Sequence, residues 1–260
     1  MIPWLRDARD PLPDARLALP AESVAPGLVA AGGELTVQRL DESYGKGIFP
    51  WYSEGQPVLW WSPDPRMVLL PANFRLHRSL AKTIRRFIAT PGCEVRFDTA
   101  FERVIEACST TPRDGLRGSW IVPAMIDAYS AWHVAGRVHS VETWVDGELA
   151  GGLYGVGMGR MFFGESMFAH RTDASKIALG ALVAFCRGNG IETIDCQQRT
   201  GHLASFGGAE IARAEFQRRL GSALAMPAVA DWSYDLRLWE LIGIRIDTDP
   251  PAAASKGPDP

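Results

Sequence analysis

Little in this sequence points to a metal, a disulfide or a membrane. Its 260 residues include only four cysteines, Cys93, Cys108, Cys186 and Cys196, and no two stand at C-x-x-C spacing. Isolated thiols within regular segments fit reduced core positions in a cytosolic protein and argue against a disulfide framework or structural zinc. The five histidines include no H-x-x-x-H pair, so no metal site is expected. No apolar run approaches the roughly 20 residues that span a bilayer. Nor does a charged segment followed by an apolar one open the chain, and a cytoplasmic protein with no membrane partner is expected. An excess of one charge is missing too: 27 basic against 30 acidic residues give a formal net charge of −3. Any nucleic acid must therefore be met by a local patch rather than by the field of the whole protein.

What is present, including 47% apolar residues, is enough for one large core or two unequal ones. The first 70 residues are rich in Pro and Gly and read as short elements held by turns. Within them "TVQRLDESYGKGIF" reads as one helix, capped by Thr36, with Val37, Leu40 and Tyr44 on one face. The texture changes at Met67, which divides a small α/β module over 1–66 from a main domain over 67–246. Strand and helix patterns then alternate: "RMVLLP" as strand, a helix near 76–87, "CEVRFD" as strand, and "TAFERVIEACST" as a helix capped by Asp98 or Thr99. "VPAMIDAYSAWHVAG" is a helix with Pro123 in its first turn, and Asp146-Gly147 joins two strands as a hairpin. "RMFFGESMF" continues as strand, "DASKIALGALVAFCRGNG" as helix and "IETIDCQQ" as strand, an α+β order. Residues 247–260 hold too little apolar content to fold and are expected to be a disordered tail.

Four features could carry chemistry, and a fifth only resembles one that does. In "FRLHRSLAKTIRRF", Arg75, Arg78, Lys82, Arg85 and Arg86 follow at helical spacing with no acid between them, either a solvated face or a phosphate track. "GIFPWYS" and "VLWWSPDPR" concentrate aromatics that form a small core or a stacking platform for bases; Trp60 and Trp61, being adjacent, face opposite ways on a strand. In "IETIDCQQ", alternation points Asp195 and Gln197 together, either as an exposed strand face or as groups that orient a nucleophile. In "RMFFGESMF", Glu165 stands among Met161, Phe162, Phe163, Met167 and Phe168, and either turns to solvent or is held in apolar surroundings for a purpose. "GVGMGR" fails as a dinucleotide fingerprint, because position 160 is Arg and a strand follows.

With these segments laid out, the chain resembles the leucyl/phenylalanyl-tRNA-protein transferase family. The likeness runs in order through "GLVAAGGELT", "GIFPWYSEGQPVLWWSPDPR", "GSWI", "GGLYGVGMGRMFFGESMF", "DASKIAL" and "IDCQ". It implies a small N-terminal domain followed by a domain of the GCN5-related acetyltransferase type. It implies transfer of Leu or Phe, and less well Met, from aminoacyl-tRNA to the α-amine of proteins with N-terminal Arg or Lys, marking them for the N-degron pathway. Leucyl-tRNA and phenylalanyl-tRNA are then co-substrates, no cofactor is needed, and a monomer is expected. By the same resemblance Glu165, Asp195 and Gln197 lie in the catalytic cavity. Trp51 and Trp120 flank the terminal adenosine, and Phe162, Met167, Leu179 and Ile194 shape the pocket for the amino-acid side chain. The basic stripe binds the acceptor stem, and some relatives carry Asn where Thr200 stands.

On this reading Gln197 hydrogen-bonds the attacking amine or the carbonyl, while Asp195 orients Gln197 or takes the amine's proton. Glu165 attracts the cationic N-terminus; the two carboxylate roles are exchangeable, and the ribose hydroxyl is an alternative route for the proton. An acetyl-CoA-dependent enzyme of the same fold type is disfavoured, since Gly152 and Tyr154 stand where its pyrophosphate loop needs Arg or Gln. A plain RNA-binding module gives Glu165, Asp195 and Gln197 no purpose.

Overall fold

A computed structural model describes residues 2–7, 9–111 and 120–246. The expected tail, and the first two residues of "GSWI", lie outside them. A four-stranded sheet comes first in the chain, formed by β1 (Trp4–Leu5), β2 (Leu28–Gly32), β3 (Phe49–Pro50) and β4 (Leu59–Trp61) in the order β1-β2-β4-β3. Helix α1 (Val37–Gly45) lies between β2 and β3, and the Thr36 hydroxyl accepts from the Arg39 N–H at its start. Trp60 is fully buried in this small core, while Trp61, half-buried, turns to the other side and sets its ring edge-on to Trp51. Opposite pointing of adjacent strand residues is what separates the two tryptophans.

The second sheet has seven strands: β5 (Arg66–Leu69), β6 (Cys93–Phe97), β7 (Val138–Val145), β8 (Glu148–Met158), β9 (Met161–Ala169), β10 (Thr193–Gln197) and β11 (Ala209–Ile211). Their order is β11-β5-β10-β9-β8-β7-β6, antiparallel throughout except for β9 and β10, which run parallel. With helices on both faces this is a mixed α+β fold, a small N-terminal domain followed by a main one. Five more helices belong with it: α2 (Arg78–Ala89), α3 (Phe101–Thr110), α4 (Pro123–Val134), α5 (Ala174–Gly188) and α6 (Gly201–Ser205), and α7 (Arg213–Leu224) follows β11. One core joins α1, α3, α4 and α7 to one face of the sheet through Tyr44, Tyr129, Trp132, Tyr154, Phe163 and Phe216. The other packs α2, α5 and the 3-10 turn at Leu236–Ile242 on the opposite face through Ile84, Phe162, Leu179, Phe185, Ile194 and Trp239. No helix among the described residues is long and apolar enough to cross a membrane.

Two expectations need correction. Neither Asp98 nor Thr99 caps α3 with its side chain: the two residues just before the helix are held from the sheet by the fully buried Glu142, which accepts the Thr99 N–H at 2.9 Å and the Ala100 N–H at 2.8 Å. Asp98, at φ 55°, accepts instead from the Ser140 N–H and pairs with His139. Arg75 is not on a helix with the rest of the basic stripe. Helix α2 starts at Arg78, and the chain before it leaves a 3-10 turn at Pro71–Asn73 as extended backbone, with the Arg75 N–H held by the Phe206 carbonyl.

Bulges shape the middle of the large sheet. Tyr154 pairs with Ser166 and Gly155 with Gly164, so Glu165 is an extra residue in β9. Asp195 pairs with Val68 and Gln197 with Met67, so Cys196 is an extra residue in β10. Gly155 is required at the first of these places, because a Cβ there would stand 2.2 Å from the Phe163 carbonyl oxygen and 2.5 Å from the Phe162 ring. Gly155→Ala should therefore cost about 2–3 kcal/mol, whereas Gly221→Ala, in helix α7 with open space around it, should gain about 0.5–1 kcal/mol. Urea midpoints of the two variants check both signs.

Candidate active site

A bulge re-aims side chains, and the one at Glu165 sets the geometry of the site. Phe163 and Glu165 face α1 and α4, while Met167 is thrown to the other face beside Phe162. Pairing of the parallel strands ends at Asp195 with Phe163; β9 runs on to Ala169 against β8 alone, so β9 and β10 part. Gly164 sits at that fork, its Cβ position 3.6 Å from the Asp195 carbonyl oxygen and 3.9 Å from Ile194. Gly164, Glu165, Met167, Cys196 and Gln197 are all partly exposed there, beside the buried Phe162, Phe163, Ile194 and Asp195.

The three acid and amide groups expected from the sequence come together at the fork. Glu165 Oε1 accepts from the Tyr44 hydroxyl at 2.8 Å and from Gln197 Nε2 at 3.2 Å. The Tyr44 and Tyr129 hydroxyls are 2.5 Å apart. Burial, with added repulsion from Asp195, pushes Glu165 up to about 8, against the hydrogen bond from Tyr44 and the charge of Arg66. Burial and the Glu165 charge also push both tyrosines well above their ordinary value, so they remain neutral hydroxyls. At pH 7 the cluster therefore holds a mostly protonated carboxyl among phenols and an amide.

Asp195 is bound on the far side of Gln197. It is fully buried, and its carboxylate takes a two-pronged ion pair from Arg66, Nε to Oδ1 at 2.8 Å and Nη2 to Oδ2 at 2.6 Å. Oδ1 also accepts the Gln197 N–H at 2.9 Å, across the bulge. Arg66 is 1% exposed, lies over the rings of Phe49 and Phe216, and donates to the Gly47 carbonyl. Gln197 adopts φ 54°, rare for a residue with a side chain, and its N–H bond to Asp195 helps to hold that conformation. Both carboxylate oxygens of Asp195 thus accept from Arg66, and Oδ1 accepts from Gln197 as well. Sequence reading missed Arg66, Tyr44 and Tyr129 as site residues; the one signal was Arg66, a cation opening the apolar run "RMVLLP".

The remaining candidates fall into place by face. Phe162, Leu179 and Ile194 are buried together between the sheet and α5, with Met167 packed against them. Trp51 is 38% exposed, and Trp120 is partly buried against the opposite core. Arg78, Lys82, Arg85 and Arg86 are exposed on α2, and none forms an ion pair among the described residues. A cation at a helix N-terminus, as Arg78 is, opposes the helix dipole and gains nothing within the protein. Thr200 caps α6 by accepting from the Leu203 N–H, a role Asn fills equally well.

Comparison with known proteins identifies the family. The family model described as leucyl/phenylalanyl-tRNA protein transferase matches residues 68–221, and the model of its N-terminal domain matches residues 33–64. The chain belongs to the leucyl/phenylalanyl-tRNA protein transferase family. A leucyl/phenylalanyl-tRNA–protein transferase of Methylibium petroleiphilum is 61% identical over 252 residues, 97% of this chain and 94% of the relative. One of Leptothrix cholodnii is 60% identical over 98% of this chain and all of the relative, and one of Burkholderia pseudomallei 56% identical over 92% of each. As a member of the family the chain is an aminoacyltransferase, and the fork lies within the stretch that the main transferase model covers.

Two outcomes test the geometry. Arg66→Met strands a buried carboxylate and should cost about 3–5 kcal/mol, while the double change Arg66→Met with Asp195→Leu should cost clearly less than the sum of the singles; denaturant titrations give the cycle. The folded state raises Glu165 from 4.5 to about 8, so it binds more protons than the unfolded chain between those values. Its contribution is present in acid and lost as pH rises through that window. Against Glu165→Gln, the wild type should lose on the order of 2 kcal/mol of relative stability between pH 5 and 8, allowing for the solvent that reaches the group.

Proposed function

We propose that this aminoacyltransferase moves Leu or Phe, and Met less well, from aminoacyl-tRNA to the α-amine of proteins whose N-terminal residue is Arg or Lys, and so marks them for degradation in the cytoplasm. The observation that carries this reading is the fork itself: an amide and a neutral acid, braced by a buried ion pair, open beside an apolar cluster in a chain whose cationic helix α2 has its Arg and Lys side chains in no ion pair among the described residues. The main domain, with its two parallel strands parting beside the reacting groups, reads as an acetyltransferase-type unit that has exchanged coenzyme A for charged tRNA.

The reaction is aminolysis of an ester. The neutral α-amine attacks the aminoacyl carbonyl, a C–N bond forms, the C–O bond to the ribose breaks, and one amine proton passes to the leaving ribose oxygen. An α-amine of pKa about 7.7–8.0 is partly neutral at pH 7, so placement outweighs basicity. The Gln197 side-chain oxygen accepts from the amine while its NH2 group is held by Glu165. Asp195 acts through the backbone of Gln197 and is a positioning residue. Glu165 with Tyr44 and Tyr129 forms a neutral hydrogen-bonding wall beside the reacting groups. A carboxyl that keeps its proton to about pH 8 carries little charge, and this reading therefore moves attraction of the cationic N-terminus away from Glu165.

Phe162, Met167, Leu179 and Ile194 would hold the Leu or Phe side chain. Such an apolar pocket discriminates by only about 1–3 kcal/mol per methylene, which leaves Met a weak substrate. Trp51 and Trp120 would flank the terminal adenosine, and Arg78, Lys82, Arg85 and Arg86, with Arg75 beside them, would follow the phosphates of the acceptor stem.

Transfer of labelled leucine from charged tRNA to a peptide beginning with Arg tests the activity, and an inactive wild type would refute it. Under single-turnover conditions Gln197→Ala should slow peptide-bond formation about 100-fold with saturating substrates. Charge reversal at Arg78 and Lys82 should raise the KM for tRNA and reduce its salt dependence by about 0.7–0.9 in log–log slope for each phosphate no longer neutralised.

A further inference from the structure

Two glycines of "GVGMGR", the stretch that fails as a dinucleotide fingerprint, clear a strip of sheet beside the fork. Gly155 and Gly157 stand two residues apart in β8 and so share the face on which Leu153 packs beneath α5. A Cβ on Gly155 would come within 2.5 Å of the Phe162 ring, and one on Gly157 within 2.5 Å of the Trp232 ring. The two rings therefore lie on bare strand backbone, side by side, with centroids 5.8 Å apart. Gly155 is opposite Gly164 at the fork, and Gly157, opposite Phe162, is farther from it. Trp232 thus stands behind Phe162 as seen from the fork. It also lies flat on His139, with centroids 3.6 Å apart, and against Phe185 at 4.8 Å. The His139 ring is fixed in turn, since its Nδ1 donates to Asp98 at 2.7 Å.

We propose that Trp232 is a positioning residue for the amino-acid pocket: it backs Phe162 and sets how far that wall withdraws when the side chain carried by the charged tRNA enters. The inference rests on the transferase reading given above, in which Phe162, Met167, Leu179 and Ile194 hold that side chain, and it names the residue that limits the pocket's depth. Phe162, Leu179 and Ile194 are each no more than 3% exposed, so a Leu or Phe side chain gains room among them only when one of them gives way. An interior packed to that density yields by displacing a whole side chain, not by compression. Leu179 and Ile194 are held on regular backbone, in α5 and β10. Phe162 has Trp232 in direct ring contact, at a separation where an aromatic pair still attracts. Trp232 belongs to 225–235, a segment that forms neither helix nor strand, and is itself partly exposed. It is the neighbour of Phe162 that can shift outward without breaking a ladder or a helix.

The test is competition between leucyl-tRNA and phenylalanyl-tRNA for transfer to one peptide beginning with Arg, read as the ratio of their kcat/KM values. Trp232→Ala should raise the Phe-to-Leu ratio about tenfold, because a wall free to withdraw fits the larger ring and leaves the smaller side chain loosely held. Trp232→Phe, with a shorter ring, should move the ratio the same way but less, and so should Gly157→Ala, whose Cβ meets Trp232; these two carry the test if Trp232→Ala fails to fold. Tyr234→Leu removes the other ring of 225–235, which meets Phe97 and Trp239 instead. It should leave the ratio within about twofold, and the ratio is read within each protein, so a general loss of rate does not mimic the effect. A ratio unchanged in the Trp232 and Gly157 variants overturns the proposal, and so does an equal shift in Tyr234→Leu. Phe162→Leu distinguishes this failure from one of the pocket. A ratio that moves with Phe162→Leu but not with the Trp232 variants refutes the role of Trp232 alone, whereas one indifferent to Phe162→Leu refutes the pocket and the role of Trp232 with it. A wild type that transfers neither amino acid refutes the transferase reading.

Discussion

The ion pair between Arg66 and Asp195 is the constraint on which the site depends. Both groups are out of water, and desolvation of two charges is repaid only when the geometry is good and the remaining hydrogen-bonding groups are satisfied. Here the fork of the guanidinium meets both carboxylate oxygens, the spare donor reaches the Gly47 carbonyl, and two aromatic rings cover its faces. Those partners belong to the N-terminal module, to strand β10 and to helix α7. One residue therefore ties the small domain to the strand that carries Gln197. Because Asp195 Oδ1 also holds the Gln197 N–H, the pair fixes a backbone turn in a conformation that a side-chain-bearing residue rarely adopts.

The two bulges do the rest. Without an extra residue at Glu165, strict alternation would leave Phe163, Glu165 and Met167 on one face. With it, Glu165 turns to the tyrosines while Met167 joins Phe162 and Ile194 on the other side of the sheet. Carboxyl chemistry and apolar recognition are thereby separated across one sheet and meet only at its fork. Apolar surroundings on one side and hydroxyls on the other account for a carboxyl that keeps its proton near neutrality while still accepting hydrogen bonds.

Much of this was legible in the residues. The long helices and strands of the main domain show clear 3.6 and 2 periods, and Asp146-Gly147 and Thr36 give unambiguous turn and cap chemistry. Strands β1 to β4 were not legible, since elements of two to five residues rich in Gly and Pro have no period to read. The start of α3 was misread because Glu142 holds it from 43 residues away at Thr99, where local chemistry offered Asp98 and Thr99. Glu165, Asp195 and Gln197 were recognisable as a group from motif and strand position, but the partners that set their properties lie far along the chain: Tyr44 is 121 residues from Glu165 and Arg66 is 129 from Asp195. A bulge leaves no mark on composition, and the facing of Met167 could not be read without the structure.

If the buried pair serves catalysis by holding Gln197, the two should act as one unit. Single-turnover rates of Arg66→Lys, Gln197→Ala and the double variant, at saturating charged tRNA and peptide, measure this directly. Arg66→Lys keeps the charge but gives up the two-pronged geometry. The prediction is a double variant no slower than Gln197→Ala alone, and rate reductions that multiply would contradict it.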